Sequence, residues 1–387
     1  MLRTFTFILA AIAMACGEPA EPPPGGSDAG SDAGPAETWD DLAPMLEPLR
    51  DRHGLPGMAG AVLRDGEVIA LGSVGLRKLG DSTPVQDSDL WHLGSCTKAM
   101  TATLLGTFVE EGSLDWDTTL AEAFPHLAAT MDPGYVDVTL AQLLAHFGGA
   151  WSSIADHPAV ANVLGTDQRP VMELRAWFVE QLLSQPPENT PGSTFAYSNS
   201  GYITVGAAME LVAGVEWEAL MRARLFEPLG MSSCGFGPPG ISTSVEQPWG
   251  HLGTDVASLE PAFLDNPPML GPAGTVHCSM VDWAKFLAVH IEGDSGDTAL
   301  LTQASFATLH TVWATDDYAL GWAVVDRPWA EGVAYTHSGS NNMWFVTAWL
   351  APNKDIAVFG ATNAAVAPNA PTALDQAFGE LLTAYLQ

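Results

Sequence analysis

The chain has 387 residues, of which 47% are hydrophobic and 9% aromatic, a composition that can build a folded core over one or two lobes. Fourteen Lys and Arg stand against 45 Asp and Glu, a formal charge of −31. So acidic a chain lacks the basic patch that nucleic acid requires, and anionic lipid surfaces repel it.

The first segment reads MLRTFTFILAAIAMAC. Arg3 is followed by an apolar run, Phe5 to Ala15, too short to span a bilayer but suited to a secretory signal peptide at residues 1–15. Ala13-Met14-Ala15-Cys16-Gly17 resembles a bacterial lipobox, which implies lipidation of Cys16 and an exported lipoprotein, with a secreted or periplasmic product as the alternative. Gly17 after the cysteine favours an outer-membrane anchor by the same resemblance. Residues 16–37 are Pro-, Gly- and Ser-rich, with GSDA twice, and read as a tether that offers nothing to a core. The remaining cysteines are Cys96, Cys234 and Cys278. Three buried free thiols are expected, with a Cys234–Cys278 bridge as the alternative in an oxidising compartment. No CxxC and no HExxH occurs, and neither a metal nor any other cofactor is implied.

Residues 38–387 form the folded part. Trp39, Leu42, Leu46 and Leu49 have helical spacing, and Gly57 to Ala70 reads as two strands around the turn Asp65-Gly66. Helical patterns fill roughly 96–290: Lys98 to Glu110, Leu140 to Ala145, Gly201 to Val212 and Val281 to His290. Strands return at Tyr318 to Val325, Asn342 to Leu350 and Ile356 to Ala361, before a last helix from Ala373 to Leu386. Strands at both ends with helices between predict an α/β (α+β) fold: one antiparallel sheet flanked by helices, plus a mostly helical lobe, with a site in the cleft between.

Chemistry concentrates in three segments. In WHLGSCTKAMTA, Ser95 and Lys98 share a helix face one turn apart, near free backbone N–H groups. A lysine entering an apolar helix is desolvated, its pKa falls, and a neutral amine can take a hydroxyl proton. In PGSTFAYSNSGY, Tyr197 offers a phenol whose pKa a neighbouring Lys98 would depress, and Asn199 can orient Lys98 or bind a substrate amide. In YTHSGSN, Gly339 permits close backbone approach and the Ser340 N–H can serve an oxyanion.

Together SxxK, YxN and HxG resemble the serine β-lactamase-related family: class C β-lactamases, serine D-Ala-D-Ala carboxypeptidases, D-amino-acid peptidases and related esterases. LLAHFGG (Leu143 to Gly149), LFEPLGM (Leu225 to Met231), GPAGTVHCSMVDWAKF (Gly271 to Phe286), Tyr318 to Trp322 and Thr362-Asn363 extend the likeness over residues 40–387. Gly148 stands where that family's segment carries Ser. The resemblance implies a β-lactamase/transpeptidase-like fold and a serine hydrolase acting through an acyl-enzyme on a small-molecule or peptide substrate. Ser95 would be the nucleophile, Lys98 its proton partner, Tyr197 a shared acid and base, and Asn199 a positioning residue. His337, Ser338 and Gly339 would form the third motif, and the Ser95 and Ser340 amides the oxyanion hole. Strong β-lactamases of this family carry Lys-Thr-Gly where this chain has His337-Ser338-Gly339. A histidine, with an ordinary pKa of about 6.5, is a poor permanent cation for a substrate carboxylate. That favours an ester- or D-peptide-type hydrolase. A β-lactamase or carboxypeptidase proper, or a non-catalytic penicillin-binding sensor, are the alternatives. Gly293-Asp294-Ser295-Gly296 has the letters of a chymotrypsin-like motif but reads as a solvated loop.

Overall fold

The structure, a computed structural model, describes residues 39–163, 166–314 and 317–386. The signal peptide, Cys16 and tether expected within residues 1–37 lie outside the described residues. Twelve strands occur among those described. They are β1 (Asp40–Asp41), β2 (Gly57–Arg64), β3 (Glu67–Gly75), β4 (Leu90–His92), β5 (Gly235–Phe236) and β6 (Gly250–Leu252). Then follow β7 (Glu260–Ala262), β8 (Val276–Ser279), β9 (Ala323–Arg327), β10 (Gly332–Ser340), β11 (Phe345–Ala351) and β12 (Ile356–Thr362). The principal sheet runs β1-β3-β2-β12-β11-β10-β9, so the two ends of the chain share it. Its pairs are antiparallel except that β1 runs parallel to β3, which makes the expected antiparallel sheet mixed at one edge. A short sheet β4-β8-β5 and a two-stranded sheet β6-β7 stand apart.

The helices of eight or more residues are α1 (Ala43–His53), α2 (Thr97–Glu110), α3 (Val171–Leu183), α4 (Asn199–Ala213), α5 (Met280–Ser295), α6 (Gln303–His310) and α7 (Asn369–Tyr385). Their bounds follow local chemistry. Ser198 and Ser279 accept the Gly201 and Asp282 amides at the starts of α4 and α5. Gly54 and Gly214 end α1 and α4 in the left-handed region. Asp65 and Gly66 both adopt positive φ between the paired Arg64 and Glu67, as an Asp-Gly hairpin turn requires.

Both faces of the sheet are covered, so β12 is buried along its whole length. On one face α1 and α7 contribute Leu46, Leu49, Leu374 and Phe378 to an apolar layer with Met58, Val62 and Val358. On the other, α5 lies between the sheet and the helical lobe, in a larger core that includes Ala59, Ala61, Leu63 and Phe359. Alternate residues of β2 thus point into different cores, as strand periodicity demands. Within the lobe, fully buried Arg175 on α3 ion-pairs with Glu210 of α4 and with Glu218. It also donates to the Pro268 and Met269 carbonyls.

Three expectations need correction. Cys234 and Cys278 form a disulfide, and only Cys96 is a free thiol among the described residues. The pairing of Gly235 with His277 in β5 and β8 sets the flanking cysteines face to face, although 44 residues separate them in sequence. The Tyr318 to Val325 segment is a strand only from Ala323, because Gly321 at φ 89° turns the chain so that Tyr318 bridges back to Ala323. The Gly293–Gly296 stretch is no solvated loop: its first three residues end α5, and Asp294 accepts hydrogen bonds from buried His310 and from Tyr335. No helix among the described residues is long and apolar enough to cross a membrane.

Candidate active site

Gly94–Cys96 forms a single 3-10 turn that leads from β4 into α2. Gly94 has φ 48°, and a Cβ placed on it would stand 2.3 Å from the Ser340 nitrogen. A Cβ on Gly339 would stand 1.9 Å from the Leu93 carbonyl oxygen and 2.8 Å from the Ser95 nitrogen. Two glycines therefore let the nucleophile turn press against the end of β10. The contact is possible because β9 pairs with β10 only as far as Thr336, leaving the edge from His337 to Ser340 free. Ser95 and Ser340, both half-buried, lie on the two segments that these glycines bring into contact.

Lys98 lies one helical turn into the chain from Ser95 and is fully buried. Its Nζ is 3.2 Å from Ser95 Oγ, 2.7 Å from Asn199 Oδ1 and 2.7 Å from the Ala273 carbonyl oxygen. Burial without a carboxylate partner pulls its pKa down from 10.5 to about 7. The amine is therefore substantially neutral at physiological pH. A neutral amine has two hydrogens, and the Asn199 and Ala273 oxygens take both. The lone pair is left for the Ser95 hydroxyl proton.

Tyr197 reaches the same point from the start of α4, with Lys98 Nζ 4.9 Å from its ring centroid. Its hydroxyl is buried without a hydrogen bond of ordinary geometry, although nearness to Ser95 favours the phenolate slightly. Burial is the larger effect and pushes the phenol above its usual range, correcting the expectation of a depressed pKa. The charge that Lys98 retains acts on His146 and His337, while burial decides the state of Tyr197. Tyr197 is thus a phenol in the resting site, a proton donor rather than a standing base.

His337 is buried, and desolvation drops its pKa from 6.5 to about 3. Its Nδ1 stands 2.7 Å from the Ser338 carbonyl and must carry the proton, so Nε2 accepts from the Tyr318 hydroxyl at 3.0 Å. The ring is a neutral wall group. The Ser338 hydroxyl is engaged with Thr347 of β11 at 2.8 Å, held against the neighbouring strand. Sequence reasoning passed over two ring residues here. His146 accepts the Ser198 amide at 3.0 Å and stacks on Tyr197 with centroids 4.3 Å apart. Tyr318 fixes His337. Both lie in segments that carried the resemblance, LLAHFGG and Tyr318 to Trp322, which was the available signal. Among the described residues, no three His, Cys, Asp or Glu side chains gather so as to hold a metal ion.

Residues 42–379 match the family described as Beta-lactamase. The chain belongs to that family. It is 28% identical over 350 residues to penicillin-binding protein 4 of Amycolatopsis lactamdurans, covering 87% of each chain. It is 29% identical over 194 residues to esterase EstB of Burkholderia gladioli, covering 49% of this chain and 48% of that one. Among solved structures it resembles a D-stereospecific amidohydrolase from Streptomyces sp., with TM-score 0.67 and 22% identity over 86% of this chain and 96% of the other. That last likeness establishes a shared fold. With the Ser95–Lys98–Tyr197 cluster, family membership makes this chain a serine hydrolase of β-lactamase fold, suited to ester or amide carbonyls.

Proposed function

We propose that this protein hydrolyses neutral esters or D-peptide-like amides through an acyl-Ser95 intermediate. The observation that carries the reading is the set of contacts at Lys98, whose Nζ meets Ser95 Oγ, Asn199 Oδ1 and the Ala273 carbonyl. In its neutral form the amine gives its two hydrogens to the Asn199 and Ala273 oxygens and turns its lone pair to Ser95 Oγ. As Ser95 Oγ bonds to the carbonyl carbon, its proton passes to Lys98, and the carbonyl oxygen takes up negative charge beside the Ser95 and Ser340 amides. Tyr197 donates its proton to the departing alkoxide or amine and is reprotonated from the Lys98 ammonium. A water then attacks the acyl carbon and gives a proton to the Tyr197–Lys98 pair, which passes it to Ser95 Oγ as the acyl C–O bond breaks, restoring the resting site. A preorganised oxyanion donor of this kind is worth about 3 kcal/mol of barrier.

Substrate charge narrows the reading. A neutral His337 offers no fixed cation to a substrate carboxylate, and the chain as a whole carries −31. Carboxylate-bearing β-lactams should be poor substrates, while uncharged esters and D-amino-acid amides suit the site. The names of two relatives, an esterase and a D-stereospecific amidohydrolase, support the same direction. The test is a panel of short-chain p-nitrophenyl esters, D-amino-acid amides and a chromogenic cephalosporin, run on the wild type and Ser95→Ala. Ser95-dependent turnover of an ester or amide, faster than that of the cephalosporin, is expected. No Ser95-dependent turnover of any of them, with stable penicillin labelling, would replace the reading with that of a sensor. We also propose that the enzyme is exported and held by lipid on Cys16. Incorporation of labelled palmitate in a bacterial host, abolished in Cys16→Ala, tests this.

A further inference from the structure

Three chain segments far apart in sequence make the site: the Gly94–Ser95 turn, the Ala273–Gly274 carbonyls that anchor Lys98, and the end of β10. The β4–β8 pairing ties the turn to the segment after Gly274, but no strand pairing joins either of them to the end of β10, whose sheet edge is free there. Something behind the site must hold β10 at its distance from the other two, and one acidic side chain contacts a neighbour of each of the three segments.

Asp265 follows β7, and its side chain is only 8% exposed. Its Oδ1 accepts from Asn341 Nδ2 at 3.0 Å and from the Asn266 amide at 2.7 Å. Asn341 directly follows Ser340, and its own Oδ1 accepts the Met343 and Trp344 amides, so it locks the turn that ends β10. Completely buried His92 stands with Nε2 2.8 Å from the same Oδ1, close but not aligned for an ideal hydrogen bond. His92 Nδ1 accepts the Gly94 amide at 3.1 Å, so the ring proton is on Nε2 and faces the carboxylate. Neighbouring Asn266 donates from Nδ2 to the Gly274 carbonyl at 2.8 Å, one residue beyond the oxygen that holds Lys98.

We propose that Asp265 is a positioning residue for acylation, setting the separation of the two oxyanion-binding amides through His92 on one side and Asn341 on the other. The proposal rests on the reading of Ser95 as nucleophile. A carboxylate suits the task because it is an acceptor only, so one oxygen can gather three donors from three directions. Charge also shortens and strengthens those contacts relative to neutral ones. His92 and His277 are the basic groups near the carboxylate, and the Asn341 and Asn266 donors hold it from other sides. Since a displacement near 1 Å at a reacting centre can cost about a hundredfold in rate, a loosened node should act on the transition state rather than on substrate affinity.

The experiment compares wild type with Asp265→Ala, Asp265→Asn, His92→Ala and His92→Asn. It uses the best substrate from the panel and an arylboronic acid, whose tetrahedral Ser95 adduct places an oxygen at the two amides. Asp265→Ala should lower kcat about tenfold to a hundredfold with KM changed by less than about threefold, and weaken boronate binding by a matching factor. Asp265→Asn should lose less. His92→Asn, whose Oδ1 replaces Nδ1 as acceptor for Gly94, should recover most of what His92→Ala loses. Folded Asp265 variants with wild-type kcat and boronate affinity, or a loss confined to KM, would overturn the proposal. So would equal losses in the two His92 variants. If Asp265→Ala fails to fold, the Asp265→Asn and His92 pairs decide by the same readings. A wild type with neither Ser95-dependent turnover nor a boronate adduct would instead overturn the function proposed above.

Discussion

The two faces of the sheet are built on different principles. The face under α1 and α7 is closed largely by aliphatic and aromatic contacts, with Leu46 and Ala377 fully buried, while the Arg50 stem packs on Gly75. The face toward the helical lobe buries Lys98, Arg175, Glu210, His146, His290 and His337. Each of these depends on particular partners: Lys98 on two carbonyl-type oxygens, Arg175 on two carboxylates, His290 on His310 and Thr103. The outer layer contributes stability and asks only for volume. The inner layer spends stability on placement, because an unpaired polar atom in a core costs more than its hydrogen bond returns.

Mutations can break this contrast. The largest effect belongs to Ser95→Ala, which should lower turnover by at least about 10⁴-fold while leaving the melting temperature within a few degrees of wild type. Arg175→Ala should destabilise by about 3–5 kcal/mol, since it strands the buried Glu210 carboxylate and releases the partly exposed Glu218, and denaturant titration would read it. That variant should also lower kcat, because the Pro268 and Met269 carbonyls it releases lie next to the segment anchoring Lys98. Leu46→Ala on the outer face should cost a similar 2–5 kcal/mol through its cavity yet leave kcat unchanged in the folded enzyme. Equal kinetic effects of these two changes would erase the distinction between the faces.

Acidity sharpens it further. Lys98 must be neutral to accept the Ser95 proton, and its pKa is about 7. The rate constant kcat/KM should therefore fall about tenfold per pH unit below 7, and Lys98→Ala should abolish that limb along with most activity. Stability should follow a gentler slope from the buried histidines. His337 at about 3, and His251 and His277 at about 4, stay neutral when folded, whereas the unfolded chain protonates each near 6.5. Over this window the unfolded state binds more protons, so stability is full above about 6.5 and declines as pH falls through the folded values. Each group accounts for at most about 1.4 kcal/mol per pH unit. Urea midpoints measured from pH 7 to 4 check this, and His251→Gln should flatten the slope slightly.

Sequence alone went far where chemistry is local. SxxK names its own geometry, because a helix turn brings Ser95 and Lys98 together, and an apolar continuation foretells burial of the lysine. The hairpin at Asp65-Gly66 is legible for the same reason, as are α2, α4 and α5. What stayed hidden depends on how distant segments pair. The Cys234–Cys278 bridge turns on the register of a two-residue strand, β5, which carries no periodicity to read. Tyr318 resembles the start of a strand until Gly321 turns the chain back. Tyr197 was expected to be depressed by a lysine cation, but its own burial outweighs any neighbour, and only the fold shows that burial. Asp294 sits in a Gly- and Asp-rich stretch and Asp265 in PAFLDNPPML, and neither shows a role until its partners arrive from elsewhere.

The disulfide has a consequence for how the protein must be made. Cys234 and Cys278 enclose the residues that carry Asp265, Asn266 and Ala273, so the whole back wall of the site belongs to one covalent ring. Closing a ring of this length restricts the unfolded chain by about 4 kcal/mol in the chain-entropy picture. A preparation from a reducing cytosol would hold the same polypeptide with the ring open, and the choice of expression compartment would then enter the measured rate constants as surely as any substitution.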